Sequence, residues 1–318
     1  MQEQIIRFLK KSRGYISGEE ISQYLKISRA GIWKYIQELR KDGYDIVAVP
    51  HLGYQLVSSP DKLYPHEIQA GLKTHTFGKK IIHYDTITST MDAAFQLGLE
   101  GAKEGTVECA EGQSKGKGRL GRHWNSPKGK GIYMSMILRP ALSPSHVAQI
   151  TLLSAVVIAE AIKKECGILP SIKWPNDLLI NELKVAGILT EMSSDMDRVR
   201  FVVVGAGINV NTPMHLLPPQ ATSLKNQTRH SLSRVKLLQE VLRSFEKWYK
   251  ILNDQDFSPV IERWKQLSST LGKQIRLVDQ NGAIEGLAVN LDEHGGLVIR
   301  SHTGVAVKRI SGDVIPIS

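Results

Sequence analysis

The densest group of residues suited to chemistry lies between Gly112 and Tyr133, where there are six cationic side chains and no acidic one. These are Lys115, Lys117, Arg119, Arg122, Lys128 and Lys130. Intervening glycines allow a ligand to approach the backbone closely, and exposed amides with unneutralised cations bind phosphate or another anion. The segment lacks a Walker ending, and no G-x-G-x-x-G in it follows a strand and opens a helix. Composition alone therefore leaves open an anion-binding loop, mobile until its ligand orders it, or a flexible basic surface loop.

A second polar cluster surrounds a predicted hairpin that follows a short strand ending in Lys173-Trp174. Pro175 forces the chain to turn, and Asn176 and Asp177 present polar groups at that turn. Lys184 begins the second strand of the hairpin. The segments DLLI and KVAGILTEM on either side of the turn Asn181–Glu182 predict the two strands of this hairpin.

Glycines interrupt two strands that are otherwise apolar. Gly187 lies in the strand that Lys184 begins, while Gly205 and Gly207 lie in RFVVVGAGINVN, which Asn209 ends. A strand glycine often marks a place where a ligand lies on the backbone, so the two strands predict the floor of a narrow apolar pocket. Two core strands with a β-bulge are the alternative.

The N-terminal sixty residues predict a DNA-binding winged helix. Ser17 and Ser28 are placed to cap two helices, the second of which runs from Arg29 to Lys41 and is basic, as in a helix-turn-helix. The segment YDIVAVPHLGYQLV then reads as strand, turn and strand. Arg29, Lys34 and Arg40 are candidates for phosphate contacts, and Arg29 and Gln37 for base contacts. A protein-interaction domain is the alternative.

The composition of the whole chain is that of a globular protein, with 318 residues, 42% hydrophobic residues and a formal net charge of +10. The length predicts two or three domains, and the charge predicts anionic partners. Cys109 and Cys166 are too few for a disulfide scaffold. We expect a cytoplasmic protein without a membrane partner, because the N-terminus lacks a signal peptide and residues 150–161 are interrupted by Ser154 and Glu160.

In order and spacing, GKGRLGRHW, KWPND, KVAGIL and GAGINVN, together with the winged N-terminus, resemble the bifunctional biotin–protein ligases that also act as biotin-operon repressors. The resemblance covers essentially the whole chain. It implies an α+β protein with a winged helix-turn-helix over residues 1–60, a central mixed-sheet, class II synthetase-like ligase domain over residues 61–270, and a small SH3-like β-barrel over residues 271–318. Four strand-like segments after Gly272 agree with the barrel.

The same resemblance implies two chemical steps. The biotin carboxylate attacks the α-phosphate of ATP to give biotinyl-5′-AMP and pyrophosphate, and a lysine of a biotin carboxyl carrier domain, of acetyl-CoA carboxylase or a related carboxylase, then displaces AMP. Two anions must meet, so fixed positive charge is needed, and Lys184 and Arg119 are the catalytic candidates. The implied cofactors are ATP and Mg²⁺, with biotin as substrate and precursor of the corepressor. The implied partners include palindromic operator DNA and, with adenylate bound, a second copy of the chain.

Matching positions supply the candidate site residues. For biotin they are Ser89, Thr90, Met91, Gln113, Lys117, Gly118, Arg119, Lys184, Gly187 and Gly205, with Leu189 and Gly205–Ile208 walling its rings. For ATP and the adenylate they are Arg119, Arg122, Asn176, Asp177 and Asn209, with Thr222-Ser223-Leu224 closing over adenine and Asp177 near magnesium. For DNA they are Ser17, Ser28, Arg29, Trp33, Lys34 and Gln37.

The sequence departs from the family pattern at two of these positions. Met91 replaces a common asparagine, and Lys117 replaces the usual arginine, which keeps the charge but loses the bidentate fork. Two other functions stay open at this stage. One is a lipoate or octanoate ligase-type acyltransferase, which would use Cys109 if its mechanism were thioacyl. The other is a biotin-sensing repressor without catalysis.

Overall fold

The computed structural model describes residues 1–12, 14–253, 256–280 and 282–317. The chain divides into two compact units, Met1–Ala70 and Gly71–Ser318. The predicted α+β class, with its winged helix, mixed-sheet centre and β-rich C-terminus, is confirmed. The boundary between the catalytic and C-terminal domains at residue 270 stays a prediction.

The first unit opens with three helices and a two-stranded hairpin, as a winged helix requires. They are α1 (Gln2–Lys11), α2 (Gly18–Leu25), α3 (Arg29–Lys41), β1 (Asp45–Val49) and β2 (Gly53–Ser58). Ser17 and Glu20 form a capping box at the start of α2, and Ser28 caps α3 by accepting from the Gly31 amide. Isoleucines and leucines spaced three or four residues apart form the core, and Ile21, Ile32 and Ile36 are 0% exposed.

The unit continues past β2 into α4 (Pro65–Gln69). Buried Glu67 accepts a hydrogen bond of 3.0 Å from the Tyr44 hydroxyl and contacts Lys10 of α1. Residues 61–70, which the sequence assigns to the central domain, thus contact the N-terminal unit. The physical reason is that the buried Glu67 carboxylate needs hydrogen-bond donors, which Tyr44 and Lys10 of the N-terminal unit provide.

The second unit is built on a seven-stranded mixed sheet in the order β3-β4-β5-β9-β8-β7-β6. The strands are β3 (Ile81–Tyr84), β4 (Val107–Ala110), β5 (Ile132–Leu138), β6 (Ser171–Lys173), β7 (Asp177–Ile180), β8 (Leu183–Ser194) and β9 (Val199–Ile208). Only β3 and β4 pair in parallel among these neighbours. The predicted hairpin is β7–β8, whose turn residues Asn181 and Glu182 both have positive φ.

The α-helices of this unit, among the described residues, are α5 (Thr90–Leu99), α6 (Ala148–Cys166), α7 (Leu224–Thr228), α8 (Arg234–Asn253) and α9 (Ser258–Leu267). The helical segment Pro144–Cys166 has the length and apolar character of a membrane span, but 72% of its most apolar stretch is buried in the protein. It contacts α8, α9 and β8, so α6 is a core helix. This burial explains why it is apolar on nearly all sides.

The C-terminal region is an antiparallel sheet in the order β13-β12-β11-β10-β14. The strands are β10 (Gln274–Asp279), β11 (Gly282–Leu291), β12 (Leu297–Arg300), β13 (Ala306–Arg309) and β14 (Asp313–Pro316). The predicted small β-domain is confirmed as a five-stranded antiparallel sheet among the described residues, and its closure into a barrel stays a prediction. The sequence predicted four of these strands, and β14 is the fifth.

Candidate active site

A cavity of about 520 Å³ opens over the sheet of the second unit, where β8 and β9 meet the basic loop. We use that name for residues 112–131, between β4 and β5. The cavity walls include nearly every predicted ligand residue: Thr90, Met91, Gln113, Lys117, Gly118, Arg119, Arg122, Asn176, Asp177, Lys184, Gly187, Gly205 and Asn209. Ser89 is not on the wall. It caps α5 by accepting from the Met91 amide and is 1% exposed.

One end of the cavity carries a continuous hydrogen-bond chain. The Ser135 hydroxyl donates to the Thr90 hydroxyl at 2.8 Å. Thr90 then donates to the side-chain oxygen Oε1 of Gln113, from its hydroxyl at 3.2 Å and from its backbone amide at 2.8 Å. The side-chain nitrogen Nε2 of Gln113 donates to the Ser126 hydroxyl at 3.0 Å. These contacts fix which way the Gln113 amide faces, as recognition of a ligand with both donors and acceptors requires.

The glycines of β8 and β9 make room for protein side chains. A Cβ at Gly207 would lie 2.3 Å from the Trp124 ring, and one at Gly187 would lie 3.0 Å from the same ring. A Cβ at Gly205 would lie 2.4 Å from the Met91 sulfur. The indole and the thioether lie against these glycines, and Met91, Trp124 and the three glycines all line the cavity. That a ligand lies on this backbone stays a prediction.

Positive charge converges on the middle of the cavity. The Lys184 ammonium lies 2.6 Å from the Asp177 carboxylate and 5.4 Å from the centre of the Trp124 ring. Arg119 donates to the Asn176 side-chain oxygen at 3.0 Å. Burial lowers the pKa of the Arg119 guanidinium, which stays charged in proteins. Lys184 has one acidic partner and Arg119 has a neutral one, so the two cations together keep positive charge that can bind an anion.

Acidic residues outside the basic loop pair with three of its cations. Lys117 contacts Asp92, Lys128 contacts Asp85, and Arg122 contacts Asp313 of β14. The hydrogen bond from Lys117 to Asp92 raises the pKa of Lys117. The three pairs are more than a third exposed on at least one side, so each is worth about 0–1 kcal/mol. The expected mobility of the loop stays a prediction.

Another part of the cavity wall comes from residues 217–221. Lys184 pairs with this segment, since its amide donates to the Gln220 carbonyl at 2.8 Å and its carbonyl accepts from the Thr222 amide at 2.9 Å. Thr222, Ser223 and Leu224 are 0% exposed and do not line the cavity. Thr222–Leu224 are thus buried beside the wall segment 217–221, and their expected closure over adenine stays a prediction.

Carboxylates are scarce around the cavity. No group of three or more His, Cys, Asp or Glu side chains able to hold a metal ion occurs among the described residues. Asp177, Glu182 and Asp313 are on the wall, where the Asp177 carboxylate is paired with Lys184 and the Asp313 carboxylate with Arg122. Such a site does not form a protein cage for a cation. It fits the mode in which Mg²⁺ is held mainly by phosphates and water with one or two carboxylates.

Three residues of this site escaped the sequence analysis. Trp124 had a signal, because an aromatic side chain among cations suits stacking and cation–π contacts. Ser135 is a fully buried hydroxyl in an apolar strand, and such groups need a partner. Asp313 lies 191 residues from Arg122, and no local pattern in the chain announces a contact of that range.

The candidate DNA-binding residues lie on the first unit. Arg29, Trp33 and Lys34 are exposed on α3, with Trp33 59% exposed, and Gln37 is half-buried. The Arg40 side chain instead donates to the Ile46 carbonyl of β1 at 2.9 Å and 2.6 Å. The expectation that Arg40 contacts phosphate is thus corrected, because its guanidinium joins α3 to the wing.

Three family models match successive parts of the chain. Residues 1–55 match the HTH domain, residues 84–209 match the biotin/lipoate A/B protein ligase family, and residues 270–315 match the biotin protein ligase C terminal domain.

Curated relatives match nearly end to end. The bifunctional ligase/repressor BirA of Bacillus subtilis strain 168 is 40% identical over 311 residues, which cover 96% of this chain and 95% of that protein. BirA of Escherichia coli K12 is 28% identical, covering 94% and 92%. Among solved structures, the biotin protein ligase from Aquifex aeolicus in complex with biotin and ATP is 31% identical with a TM-score of 0.65, covering 75% of this chain and 99% of that one.

Proposed function

Because the chain belongs to the family of biotin protein ligases with an N-terminal helix-turn-helix domain, we propose that it attaches biotin to a protein lysine at the expense of ATP and represses transcription. One observation carries the ligase half. A single cavity brings the polar Thr90–Gln113 end together with Arg119, Arg122 and Lys184. The first group suits a ureido ring and the second suits carboxylate and phosphate.

In the first step an oxygen of the biotin carboxylate attacks the α-phosphorus of ATP. A bond forms between that oxygen and phosphorus, the bond to the bridging oxygen breaks, and pyrophosphate leaves. Lys184 and Arg119 hold the two anions together and stabilise the charge of the transition state. Before substrate binds, Asp177 neutralises Lys184, so the arriving phosphate takes over part of that role.

In the second step the neutral amine of an acceptor lysine attacks the carbonyl carbon of biotinyl-5′-AMP. An amide bond forms, AMP leaves with the bonding electron pair, and the amine loses a proton to solvent. The proposed acceptor is a biotin carboxyl carrier domain that is part of a carboxylase such as acetyl-CoA carboxylase. Asp177 or Glu182 would hold Mg²⁺ through a single carboxylate, and the ion would neutralise part of the charge on the ATP phosphates.

A thioacyl lipoate or octanoate transferase is the weaker candidate. Cys109 would be its nucleophile, yet this residue is 0% exposed in β4 and does not line the cavity. Burial, with Glu111 and Glu108 nearby, raises the pKa of the Cys109 thiol far above its ordinary value. A buried thiol that stays protonated is a poor nucleophile.

The ligase proposal is tested by mixing the protein with MgATP, an apo acceptor domain and either biotin or lipoate. We expect the acceptor to gain the mass of one biotin with loss of water, and no gain with lipoate. Gain with lipoate alone would overturn the ligand assignment. Absence of transfer with either acid, together with adenylate-dependent DNA binding, would favour the sensor without catalysis.

The repressor half is supported by the capped, basic helix α3 and by the relatives' description as repressors. Arg29, Trp33, Lys34 and Gln37, with the helix N-termini at Ser17 and Ser28, are the proposed contacts to a palindromic operator near genes of biotin synthesis or transport. Two copies joined when adenylate is bound would present two such helices. Both ligation and repression are proposed to take place in the cytoplasm, where the acceptor protein and the DNA are found together. Footprinting with and without biotin and ATP tests it, and adenylate-independent protection by a monomer would contradict it.

A further inference from the structure

The base of the basic loop contains a buried ion pair that takes no part in the cavity wall. Glu111 follows β4 directly, and Arg234 is the first residue of α8. Their side chains are 4% and 2% exposed, and the Arg234 Nη1 lies 2.8 Å from the Glu111 Oε2. Removing both charges from water costs much of what their attraction returns, so such a pair is weak evidence of stabilisation. Its position in the fold offers a better reason for it.

The pair joins the two ends of the basic loop. The same Arg234 nitrogen donates to the Gly131 carbonyl at 3.2 Å, and the Gly129 amide donates to the backbone carbonyl of Glu111 at 2.8 Å. Glu111 precedes the first loop residue, and Gly131 precedes β5. One guanidinium therefore contacts the residue before the loop and the residue that ends it.

The start of α8 is held against the same end of the loop by a second residue. The Asn211 amide donates to the Lys130 carbonyl at 2.7 Å, while its side chain donates to the Leu232 carbonyl at 2.8 Å and accepts from the Leu232 amide at 2.9 Å. Leu232 is two residues before Arg234. The loop and α8 are thus joined even without the ion pair. The pair's contribution is therefore to set the distance between the loop ends and their alignment with α8.

We infer that the Glu111–Arg234 pair is a positioning device for the ligase reaction, an inference that rests on the function proposed above. Gln113 is two residues from Glu111, and its amide is aligned with Thr90 and Ser126 at the biotin end of the cavity. When the Gly131 carbonyl is no longer held by Arg234, the loop shifts as a whole, and Gln113 and Arg119 move with it. A displacement of about 1 Å at a reacting group can cost about a hundredfold in rate.

Glu111→Gln tests the inference, with Glu240→Gln as the matched control. Glu240 is a buried carboxylate on α8 with cationic partners Lys164 and Arg243, and it neither contacts the loop nor lines the cavity. We expect Glu111→Gln to raise the KM for biotin about tenfold or more, since a neutral amide holds the guanidinium less firmly. Its kcat should fall as well, because Arg119 moves with the loop, and Glu240→Gln should leave both near wild type.

A second readout reports on the loop without any turnover. The six lysines and arginines of the basic loop are trypsin sites, so brief digestion followed by mass spectrometry measures how often the loop opens. We expect cleavage in the loop to be several times faster in Glu111→Gln than in Glu240→Gln at equal melting temperature. Equal cleavage rates together with an unchanged KM for biotin would overturn the inference.

Arg234→Lys keeps the inference testable if Glu111→Gln does not fold. A lysine retains the charge beside Glu111, but its single ammonium lacks the planar fork, so the contact with Gly131 is lost. Faster cleavage of the loop is again expected, and a rate equal to wild type would count against the inference. Wild-type protein that transfers no biotin refutes the proposed function instead, and the cleavage rates still decide the role of the pair.

Discussion

Lys184 shows how one residue acquires a role from its surroundings. Its position at the start of β8 brings the ammonium group beside Asp177 and over the Trp124 ring. Its backbone pairs with Gln220 and Thr222, beside the wall segment 217–221. The side chain is 34% exposed to the cavity, so an anion can reach it. A half-exposed cation with a single carboxylate partner is well placed to exchange that partner for phosphate.

We expect Lys184→Met to lose most adenylation while biotin still binds, because methionine keeps most of the length of the side chain and removes the ammonium group. Loss of one charge-stabilising donor typically costs about 100- to 1000-fold in kcat. Pyrophosphate release measures the first effect, and calorimetric titration with biotin alone measures the second. Equal loss of both would contradict this role for Lys184.

At the scale of elements, the basic loop and the β8–β9 pair form the cavity together. Gly187 and Gly207 are direct partners across the two strands, and both lie under the Trp124 indole. The strands therefore supply a flat area of backbone, and the loop supplies the ring that covers it. Contacts of Arg122 with Asp313 and of Arg119 with the Gly312 carbonyl connect the loop to β14 as well.

A methyl group at position 207 should displace the indole. Gly207→Ala places a Cβ 2.3 Å from a ring carbon, and overpacking of this kind costs about 1–3 kcal/mol in the free energy of unfolding. We expect weaker ligation and altered tryptophan fluorescence. The matched comparison is Gly207→Ala in a Trp124→Ala background, where the alanine should cost clearly less stability. Additive effects of the two substitutions on chemical denaturation would show that the ring does not lie there.

At the scale of the whole molecule, the chain is two compact units with separate tasks. The first ends at Ala70, since Glu67 is bonded to Tyr44 and Lys10. The second contains the entire lining of the cavity. Chemistry and DNA recognition thus use different parts of the chain.

Removing residues 1–70 should leave ligation largely intact, because no cavity residue is lost. The same truncation should abolish operator binding, because the candidate DNA contacts are all in the removed part. Removing only residues 1–60 should have the same two effects but leave a protease-sensitive tail, since Glu67 loses Tyr44 and Lys10. The acceptor assay, footprinting and limited proteolysis check these outcomes. Footprinting by either truncated protein would refute the division of tasks, and a protease-resistant tail would refute the placement of residues 61–70.

Sequence by itself determined the local structure and the family. Caps at Ser17 and Ser28, the hairpin turn at Asn181–Glu182 and the helix α6 follow from interactions within a few residues, and the ordered motifs indicated the ligase cavity. Most of the predicted ligand residues line one cavity, whereas Ser89, Ile208 and Thr222–Leu224 do not, and the individual roles stay predictions.

Tertiary structure alone decided what fills the glycine gaps, where Arg40 points, which segment walls the cavity and how the basic loop is held. Trp124 covers Gly207, Arg122 meets Asp313 and Arg234 joins Glu111 to Gly131. These partners are tens to hundreds of residues apart. Their contacts depend on how helices and strands pack, which the periodicity of a single segment does not encode. The basic loop is the clearest case, because its charge is evident in the sequence and its anchoring is not.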